Sequence, residues 1–288
     1  MMLTLIKLFR VHQWVKNLFL FLPAFFGQAL NEESVILILL GFVCFSLAAS
    51  AVYVFNDIVD APSDRLHKEK KERPIAAGKI KVSTAYGLAA LLVIASLTGA
   101  YVINQLFFAA CVFYLIQNFF YTLWLKKFAL IDITVISLGF LIRLFAGGII
   151  AEVSISSWMY IMTFLLAMLL ALGKRRDDLL ILKNEGRLVR KAVEGYNMEF
   201  VNVVSVLLSA VTIVAYIMYT ISPEVIDRVG SPYVYVTSLF VFLGVLRYLQ
   251  LALVYENTGS PTLILLKDNP IRLVVLAWLL TFGYFLYA

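Results

Sequence analysis

Long apolar runs separated by short polar connections dominate the chain, and they predict its architecture. A transmembrane α-helix needs roughly 17 to 25 predominantly apolar residues, and every run except the first, which is shorter, reaches that length. The runs lie near residues 17–30, 34–55, 84–103, 105–125, 130–151, 157–173, 200–220, 233–254 and 270–287. The pattern therefore predicts an all-α polytopic membrane protein, with nine transmembrane helices bundled in a single domain over residues 1–288.

The composition excludes an ordinary water-soluble domain. Of the 288 residues, 62% are hydrophobic and 15% are charged, and the mean hydropathy is +0.91. A soluble chain of this length could not cover so much apolar surface with polar side chains. Cys44 and Cys111 both lie in predicted spans, which favours a packing role over a disulfide or a metal site.

The basic residues are distributed unevenly among the connections. Lys and Arg accumulate near helix ends on the cytoplasmic side of a membrane, and all but three of the 24 fall in the N-terminal segment or in every second connection. This predicts an inner-membrane protein with a cytoplasmic N-terminus, cytoplasmic loops at about 56–83 and 174–199, and an external C-terminus. The net charge of +6 then belongs to a basic face that suits anionic lipids and phosphate substrates rather than nucleic acid.

The run NDIVDAPSDRLHKEKKER, at residues 56–73, places oxygen-bearing side chains at the end of an apolar segment. If the helix continues through it, Asn56, Asp60 and Asp64 fall on one face with Asp57 beside them. Mg²⁺ takes a few such oxygens and completes its shell with water and substrate phosphates, so the run predicts a site for a magnesium-bound diphosphate. The alternative is a solvated charge run at a helix end.

A second polar cluster, GKRRDD at residues 173–178, follows the sixth predicted span. Arg can bind two phosphate oxygens at once, and Lys acts as a mobile point charge. Lys174 and Arg175 are therefore candidate phosphate ligands, and Asp177 or Asp178 could add a ligand to a bridging magnesium ion. The alternative is a basic membrane anchor with incidental acids.

Two arginines, Arg143 and Arg247, fall inside predicted spans. A charged side chain at a helix centre costs about 2.5 to 3.5 kcal/mol on insertion scales. Both are therefore expected to face the bundle interior or a watery cavity, the alternative being extension of the side chain to the membrane interface.

The run at residues 56–73 contains the NDxxDxxxD pattern of the UbiA superfamily of intramembrane prenyltransferases, which the chain resembles over nearly its whole length. RPIAAG, at residues 73–78, belongs to the same resemblance. The resemblance implies nine helices around a central cavity, two acidic motifs that hold magnesium-diphosphate beneath cytoplasmic loops, and a lateral opening for the isoprenoid.

Further runs resemble one branch of this superfamily, which transfers 5-phosphoribosyl from phosphoribosyl diphosphate to decaprenyl phosphate. They are QWVKN at 13–17, YTLWLK at 121–126, GKRRDD at 173–178, LRYLQ at 246–250 and TGSP at 258–261. The aromatic prenyltransferases carry a second DxxxD motif where this chain has the cation-rich GKRRDD. That departure speaks against simple prenyl transfer.

The residue pattern and the resemblance together give a set of expected site residues. Asp57, Asp60 and Asp64 are the expected catalytic residues, and with Asn56 they are the expected ligands of Mg²⁺. The expected substrate-binding residues are Lys16, Asn17, Arg65, Arg73, Tyr121, Lys126, Arg143, Lys174, Arg175 and Asp178.

The reaction that the branch resemblance implies is magnesium-dependent transfer of 5-phosphoribosyl to a polyprenyl phosphate, with release of diphosphate. One alternative is UbiA-type transfer of a polyprenyl group from its diphosphate to an aromatic or other small acceptor. The other is a non-catalytic transporter or lipid-binding protein. The expected partners are phosphoribosyl diphosphate, a polyprenyl phosphate lipid and the bilayer, with no nucleic acid and with oligomerisation left open.

Overall fold

The computed structural model describes residues 2–66, 70–256, 264 and 267–287, and these ranges contain helices and turns but no strand. The α-helices are α1 (Met2–Leu8), α2 (Leu22–Phe26), α3 (Glu32–Asp64), α4 (Val82–Ile103), α5 (Gln105–Leu123), α6 (Ile131–Ile150), α7 (Ser157–Glu185), α8 (Met198–Thr220), α9 (Pro223–Val229), α10 (Ser238–Leu253) and α11 (Asn269–Tyr287). The 3₁₀ helices are Val11–Phe21, Lys70–Glu72, Leu125–Lys127, Lys191–Gly195 and Pro232–Thr237. The predicted all-α class is confirmed.

Eight helical segments in the described part of the chain are long and apolar enough to cross a membrane. They are α3, α4, α5, α6, α7, α8, the continuous stretch Pro232–Leu253 and α11. The prediction of a multi-pass membrane protein is thus confirmed, and the count of such helices among the described residues is eight where nine were predicted. The difference lies in the first predicted span, residues 17–30, which contains the end of the 3₁₀ helix Val11–Phe21 followed by the short α2.

Contacts with neighbouring helices explain why residues Val11–Phe21 form a 3₁₀ helix. A 3₁₀ helix has three residues per turn, so positions three apart lie on one face. On that face Trp14 donates from Nε1 to Ser50 Oγ (3.0 Å), Asn17 donates from Nδ2 to Ser46 Oγ (2.8 Å), and Leu20 is fully buried. The tighter winding directs all three side chains toward neighbouring helices, and two of them bond to α3.

These contacts show that the N-terminal segment runs antiparallel to α3. Beyond the two hydrogen bonds to α3, Phe21 contacts Phe42 with ring centroids 6.2 Å apart, and the Ser34 hydroxyl donates to the carbonyl of Ala29 at 2.5 Å. From the rise per residue of the two helix types, Val11–Phe21 and α2 placed end to end would span roughly 30 Å, the thickness of the hydrocarbon core. The segment therefore accompanies α3 over most of its length without being a long α-helix.

Small residues allow this close packing. Positions on α3 that are buried include Gly41, Ser46, Ala48, Ala49 and Ser50. Between membrane helices there is no hydrophobic driving force from water, so close backbone approach and interhelical hydrogen bonds provide the attraction.

The chain divides into two compact units. Unit 1 comprises Met1–Leu125 and Ile142–Ser154, and unit 2 comprises Lys126–Leu141 and Ile155–Ala288. Within unit 1, α3 packs against α4 and α5; within unit 2, α8 packs against α7 and α10, and α10 packs against α11. The single domain over residues 1–288 stays a prediction.

The two loops predicted to be cytoplasmic are shorter than expected. α3 continues through Pro62 to Asp64, and α7 continues to Glu185, where Gly186 ends it in the left-handed conformation (φ 66°). The connecting segments are therefore residues 65–81 and 186–197 rather than 56–83 and 174–199. Pro62 lies in the last turn, where its missing N–H removes one hydrogen bond without ending the helix before Asp64.

Candidate active site

Two buried carboxylates at the end of α3 form the first polar cluster, which lies in unit 1. Asp57 is 2% exposed and Asp64 is 3% exposed. Nη1 of Arg73 lies 3.2 Å from Oδ1 of Asp57 and 2.6 Å from Oδ2 of Asp64, and Nη2 of Arg10 also pairs with Oδ1 of Asp57. We call these four residues the acidic cluster. Its two carboxylates and two guanidinium groups balance in charge.

The helix geometry explains which acids meet. Asp57 and Asp64 are seven residues apart and lie on one face of α3, two turns from each other. Asn56 and Asp60 belong to the same two turns and are half-buried. The prediction grouped Asn56, Asp60 and Asp64 with Asp57 beside them, whereas the pair joined by one cation is Asp57 and Asp64. Arg65, one residue later, is exposed.

The RPIAAG run holds Arg73 in place. The Arg73 carbonyl accepts from Ala77 N–H (2.8 Å), the Pro74 carbonyl accepts from Ile80 N–H (3.2 Å), and Gly78 provides the positive φ of 71°. Ile75 is 1% exposed and packs in the apolar core of unit 1. The compact turn therefore fixes the backbone of Arg73, while its long side chain reaches the acids of α3.

Arg143 is the buried cation of α6 in unit 1. It is 5% exposed, its Nε donates to Asn17 Oδ1 (2.7 Å), and its Nη2 donates to the Tyr114 hydroxyl (3.1 Å). The guanidinium also lies over the rings of Phe45 (5.1 Å) and Tyr114 (4.9 Å). The prediction that Arg143 faces the interior is confirmed, and Asn17, another predicted site residue, holds it there.

A second cluster lies in unit 2 and surrounds Arg175, which is 1% exposed. Arg175 Nε pairs with Asp132 Oδ2, and its Nη1 donates to Asp178 Oδ2 at 3.0 Å. Arg190 Nε lies 3.1 Å from the same Asp178 oxygen, and the Tyr196 hydroxyl donates to Asp132 Oδ1 at 2.7 Å. We call these five residues the Arg175 network.

The Arg175 network fixes the segment that follows α7. The Tyr196 hydroxyl accepts from the backbone N–H of Leu130 (2.7 Å), and Leu130 has a positive φ of 65°, an unusual conformation for a side chain of this kind. Burial raises the pKa of Tyr196, so its hydroxyl stays protonated and continues to donate. Residues 186–197 are thereby tied to the start of α6.

This arrangement bears on two predicted substrate ligands. Arg175 and Asp178 are both buried and bonded to each other, so the geometry favours a positioning role for them over direct contact with substrate. Their assignment as substrate ligands stays a prediction. Lys174 precedes them and is half-buried.

Arg176 and Tyr248 are two buried donors of unit 2 that the predicted site did not include. Arg176 Nε donates to Asn202 Oδ1 (3.0 Å) and Nη2 lies 3.7 Å from Glu256 Oε1. Its Nη1 and the Tyr248 hydroxyl are buried without a hydrogen-bond partner in the structure described. Buried polar groups are seldom left unsatisfied, so these two donors are candidate contacts for a ligand, although Tyr248 also interacts with the carboxylate of Asp177. Arg176 lies in the GKRRDD run and Tyr248 in the LRYLQ run. The resemblance of these two runs to the phosphoribosyl-transferring branch was the signal in the sequence that could have indicated both residues.

The remaining predicted residues are distributed over both units. Lys16 and Tyr121 are half-buried in unit 1, and Lys126 is half-buried in unit 2. Arg247 pairs with Asp268, Nη2 to Oδ2 at 2.8 Å, so this arginine links α10 to the start of α11. The TGSP run, residues 258–261, lies outside the described residues.

The carboxylates of the acidic cluster are few in number for a metal site made by protein alone. No group of three or more His, Cys, Asp or Glu side chains able to hold a metal ion occurs within residues 2–66, 70–256, 264 and 267–287. Mg²⁺ is usually bound by only one or two carboxylates together with substrate phosphates. Asp57 and Asp64 already converge on one cationic nitrogen, and their donor set therefore fits an ion that arrives with a phosphate ligand.

Comparison with known proteins agrees with the fold and with the sequence resemblance. A model of the UbiA prenyltransferase family matches residues 17–181. The chain is 32% identical, over 98% of its length and 92% of the relative's, to decaprenyl-phosphate phosphoribosyltransferase of Mycolicibacterium smegmatis. A protein of the same name from Corynebacterium glutamicum is 29% identical over 95% of this chain and 84% of its own. The solved structure of a UbiA homologue from Archaeoglobus fulgidus, bound to GPP and Mg²⁺, has a TM-score of 0.73 at 21% identity and covers 99% of this chain and 100% of that one, a similarity of fold.

Proposed function

Since the chain belongs to the UbiA prenyltransferase family, we propose that it transfers a 5-phosphoribosyl group from phosphoribosyl diphosphate to a polyprenyl phosphate and releases diphosphate. The near full-length relatives named decaprenyl-phosphate phosphoribosyltransferase support this choice of donor and acceptor. One structural observation carries the diphosphate part of the proposal. Two buried carboxylates at the end of a membrane helix meet at a single cation, and such a pair of carboxylates can hold a metal ion that arrives with a diphosphate.

The acidic cluster holds the leaving group in this proposal. Asn56, Asp57, Asp60 and Asp64 would hold Mg²⁺, which when bound neutralises the negative charge that develops on the departing diphosphate. Arg10 and Arg73 point their guanidinium groups at the same place and donate hydrogen bonds to diphosphate oxygens.

The chemical step exchanges one bond at C1 of the ribose. The C1–O bond to diphosphate breaks with its electron pair leaving on diphosphate, and an oxygen of the lipid phosphate forms the new bond to C1. The acceptor phosphate is anionic at neutral pH, so no general base has to remove a proton. The positive charge that builds up on the ribosyl group requires exclusion of water, and apolar surroundings serve that purpose.

Two further phosphates need cations, the 5-phosphate of the donor and the phosphate of the lipid. In unit 1, Lys16 and Arg143 are the candidates, with Asn17 holding Arg143 in position. In unit 2, the candidates are Lys126, Lys174 and the buried donors of Arg176 and Tyr248. The Arg175 network then positions Lys174 and Arg176, its neighbours on α7.

Phosphoribosyl diphosphate is a soluble anion, so we also propose that the basic connections face the cytoplasm of an inner-membrane protein. Lys and Arg accumulate on that side of membrane proteins, and the segment 65–81 that carries Arg73 is among the basic connections.

Prenyl transfer is the second candidate function, because the family itself is one of prenyltransferases and the Archaeoglobus fulgidus homologue is bound to GPP. The same acidic cluster would hold the diphosphate of a prenyl donor. The two functions differ in the product: a phosphoribosylated lipid in one case and an alkylated small acceptor in the other.

The deciding experiment uses purified full-length protein in detergent with Mg²⁺, phosphoribosyl diphosphate and a long-chain polyprenyl phosphate. We expect a phosphoribosyl-lipid product by mass spectrometry, its loss in Asp60→Ala without loss of folding, and its retention in Asp227→Asn, which alters an exposed acid far along the sequence. Alkylation of an aromatic acid by a polyprenyl diphosphate, with no phosphoribosyl-lipid, would overturn the proposal in favour of prenyl transfer.

A further inference from the structure

Two of the three acids that are expected to bind Mg²⁺, Asp57 and Asp64, are neutralised by the protein's own arginines. Isolated buried carboxylates are expensive, since taking a charge out of water costs several kcal/mol unless it is paired. Asp57 and Asp64 avoid that cost through Arg10 and Arg73. The pair of Asp57 and Asp64 is therefore already charge-balanced before a divalent cation is present.

Arg73 is the shared partner. Its Nη1 contacts both carboxylates, at 3.2 Å and 2.6 Å, whereas Arg10 contacts Asp57. Mg²⁺ binds oxygen at about 2.0 to 2.1 Å, so an ion held by the same two oxygens would compete with Nη1 for them. At that separation the ion and the guanidinium would also repel each other strongly, because both are positive and partly removed from water. Metal and Arg73 therefore exclude each other between these two acids.

The two arginines differ in how firmly they are placed. Arg10 also lies over the ring of Tyr53, 4.9 Å from its centroid, so it has a second attachment to α3. Both arginines lie between helices, and their side chains are similarly exposed, 23% for Arg10 and 26% for Arg73, so the ring contact is what distinguishes Arg10. Arg73 lies on the connecting segment 65–81. Its guanidinium can leave the acids through rotation of a long flexible side chain, without movement of a transmembrane helix.

We propose that Arg73 is a resident counter-ion of the metal site, which an incoming metal–diphosphate displaces from Asp57 and Asp64 and which then binds the diphosphate oxygens. The inference rests on the proposed function insofar as the ligand is a diphosphate. It adds a prediction about affinity: the divalent cation binds weakly by itself, and the metal and the diphosphate bind cooperatively. The diphosphate gives the displaced guanidinium a new anionic partner, which the metal alone does not provide.

The test measures Mn²⁺ binding by electron paramagnetic resonance in detergent-solubilised protein, so it needs no turnover. Arg73→Gln removes the competing charge, and we expect it to bind Mn²⁺ alone tenfold or more tightly than wild type, within the usual range of coupling between sites. Lys79→Gln removes the same charge from an exposed position on the same segment and is expected to match wild type. Equal Mn²⁺ affinity in the two variants would overturn the proposal.

Three further measurements make the result specific. In wild type, inorganic diphosphate should tighten Mn²⁺ binding by a larger factor than in Arg73→Gln; an equal factor would overturn the displacement. Arg73→Lys keeps a competing charge and should stay within about threefold of wild type, a span well under the tenfold gain expected from charge removal; tenfold tighter binding would show that packing, not charge, is responsible. Asp64→Asn in the Arg73→Gln background should abolish the gain, and persistence of the gain would place the metal elsewhere.

Neither a loss of stability in Arg73→Gln nor a failure of the proposed reaction would obscure the Mn²⁺ affinities. If Arg73→Gln is destabilised, its melting temperature should rise more with added Mn²⁺ than that of wild type, because a ligand that binds the folded state stabilises it in proportion to its affinity; an equal or smaller rise would count against the proposal. A failure to form phosphoribosyl-lipid would refute the proposed substrates but leave the Mn²⁺ affinities to be judged by themselves.

Discussion

Individual buried arginines in this protein are held by two kinds of partner. Arg175 donates to the carboxylates of Asp132 and Asp178, whereas Arg176 donates to the amide oxygen of Asn202 and has a carboxylate, that of Glu256, only at 3.7 Å. A guanidinium with two carboxylate partners is satisfied within the protein. Nη1 of Arg176 is buried without an acceptor among the residues described, and so is the hydroxyl of Tyr248. These two donors are therefore better candidates than Arg175 for binding a substrate phosphate.

Tyr248→Phe tests that assignment. We expect KM for one of the two phosphate substrates to rise about tenfold, since a hydrogen bond to a charged group contributes about 1.5 to 3 kcal/mol. The melting temperature should stay the same or rise, because the hydroxyl that is removed has no partner in the described structure. Steady-state kinetics and thermal denaturation are the measurements. Tyr235→Phe, at an exposed tyrosine, is the matched control, and a lower melting temperature with unchanged KM would show a purely structural hydroxyl.

Sequence pattern predicted the acids of the site better than it predicted their partners. Asp57 and Asp64 stand out because ionisable residues at the end of an apolar run have few explanations. Their partners are distant in sequence: Arg10 lies 47 residues from Asp57, and Arg73 lies 16 residues from it. No local periodicity encodes such pairings. For the same reason the run containing Arg175 did not show that Asp132, 43 residues away, already binds this cation.

At the scale of the helices, the 3₁₀ segment Val11–Phe21 depends on one close backbone approach. A Cβ built on Gly147 of α6 would lie 2.2 Å from the carbonyl oxygen of Leu20 and 2.8 Å from its Cα. These are backbone atoms that cannot rotate away. Only glycine at position 147 lets the N-terminal segment pack at this distance.

Gly147→Ala should therefore destabilise the protein, by about 2 kcal/mol or more, at the upper end of the cost of overpacking a close-packed site. Gly87→Ala is the matched control: it is a helical glycine with open space around it, and alanine there should be neutral or stabilising by up to about 1 kcal/mol. Denaturation in detergent micelles measures both. Equal stability of the two variants would mean that the N-terminal segment does not pack against α6 as described.

The segment after α7 depends on a single phenol. Tyr196→Phe removes the donor to Asp132 and the acceptor for Leu130 N–H, so amide hydrogen exchange in residues 186–197 should become faster. The pKa of Tyr196 is raised by burial, and a raised pKa means that the hydroxyl's contribution is fully present below the ordinary tyrosine pKa of about 10 and is lost as the pH rises further. In the wild type, the protection of these amides against hydrogen exchange should thus be constant near neutral pH and fall in alkaline buffer. In Tyr196→Phe this fall should be absent. A fall of equal size in both proteins would exclude Tyr196 as its cause.

Helix existence was predictable from the sequence because apolar runs of sufficient length have one solution in a bilayer, the hydrogen-bonded helix. The first predicted span differed because its helix type follows from contacts. Trp14 and Asn17 bond to serines on α3, and Leu20 meets Gly147, so the tighter winding is imposed by neighbours 29 or more residues away in the sequence. The ends of α3 and α7 were also placed too early, since their polar last turns are helical and carry the candidate site.

For the whole molecule, the course of the N-terminal segment decides how many times the chain crosses the membrane. Arg10 lies beside Asp57 near the end of α3, and Ala29 lies beside Ser34 near its start. Residues 10–29 therefore extend along α3, a helix that is long enough to span a membrane. We therefore propose that this stretch provides a ninth crossing in addition to the eight long helices of the described residues, with a cytoplasmic N-terminus and an external C-terminus, as the distribution of basic residues predicts.

Labelling with a membrane-impermeant maleimide tests this topology, because Cys44 and Cys111 are both buried and give a low background. Glu33→Cys at the start of α3 and Glu224→Cys on α9 place thiols at exposed positions and should react in intact spheroplasts. Leu3→Cys and Lys79→Cys, also at exposed positions, should react only after the membrane is opened. The comparison between residues 3 and 33 is the decisive one, since only a crossing by the 3₁₀ segment and α2 puts these two sites on opposite sides. If both reacted from outside, the segment would lie on one side of the membrane, and the contact between Arg10 and Asp57 could not form in the cell.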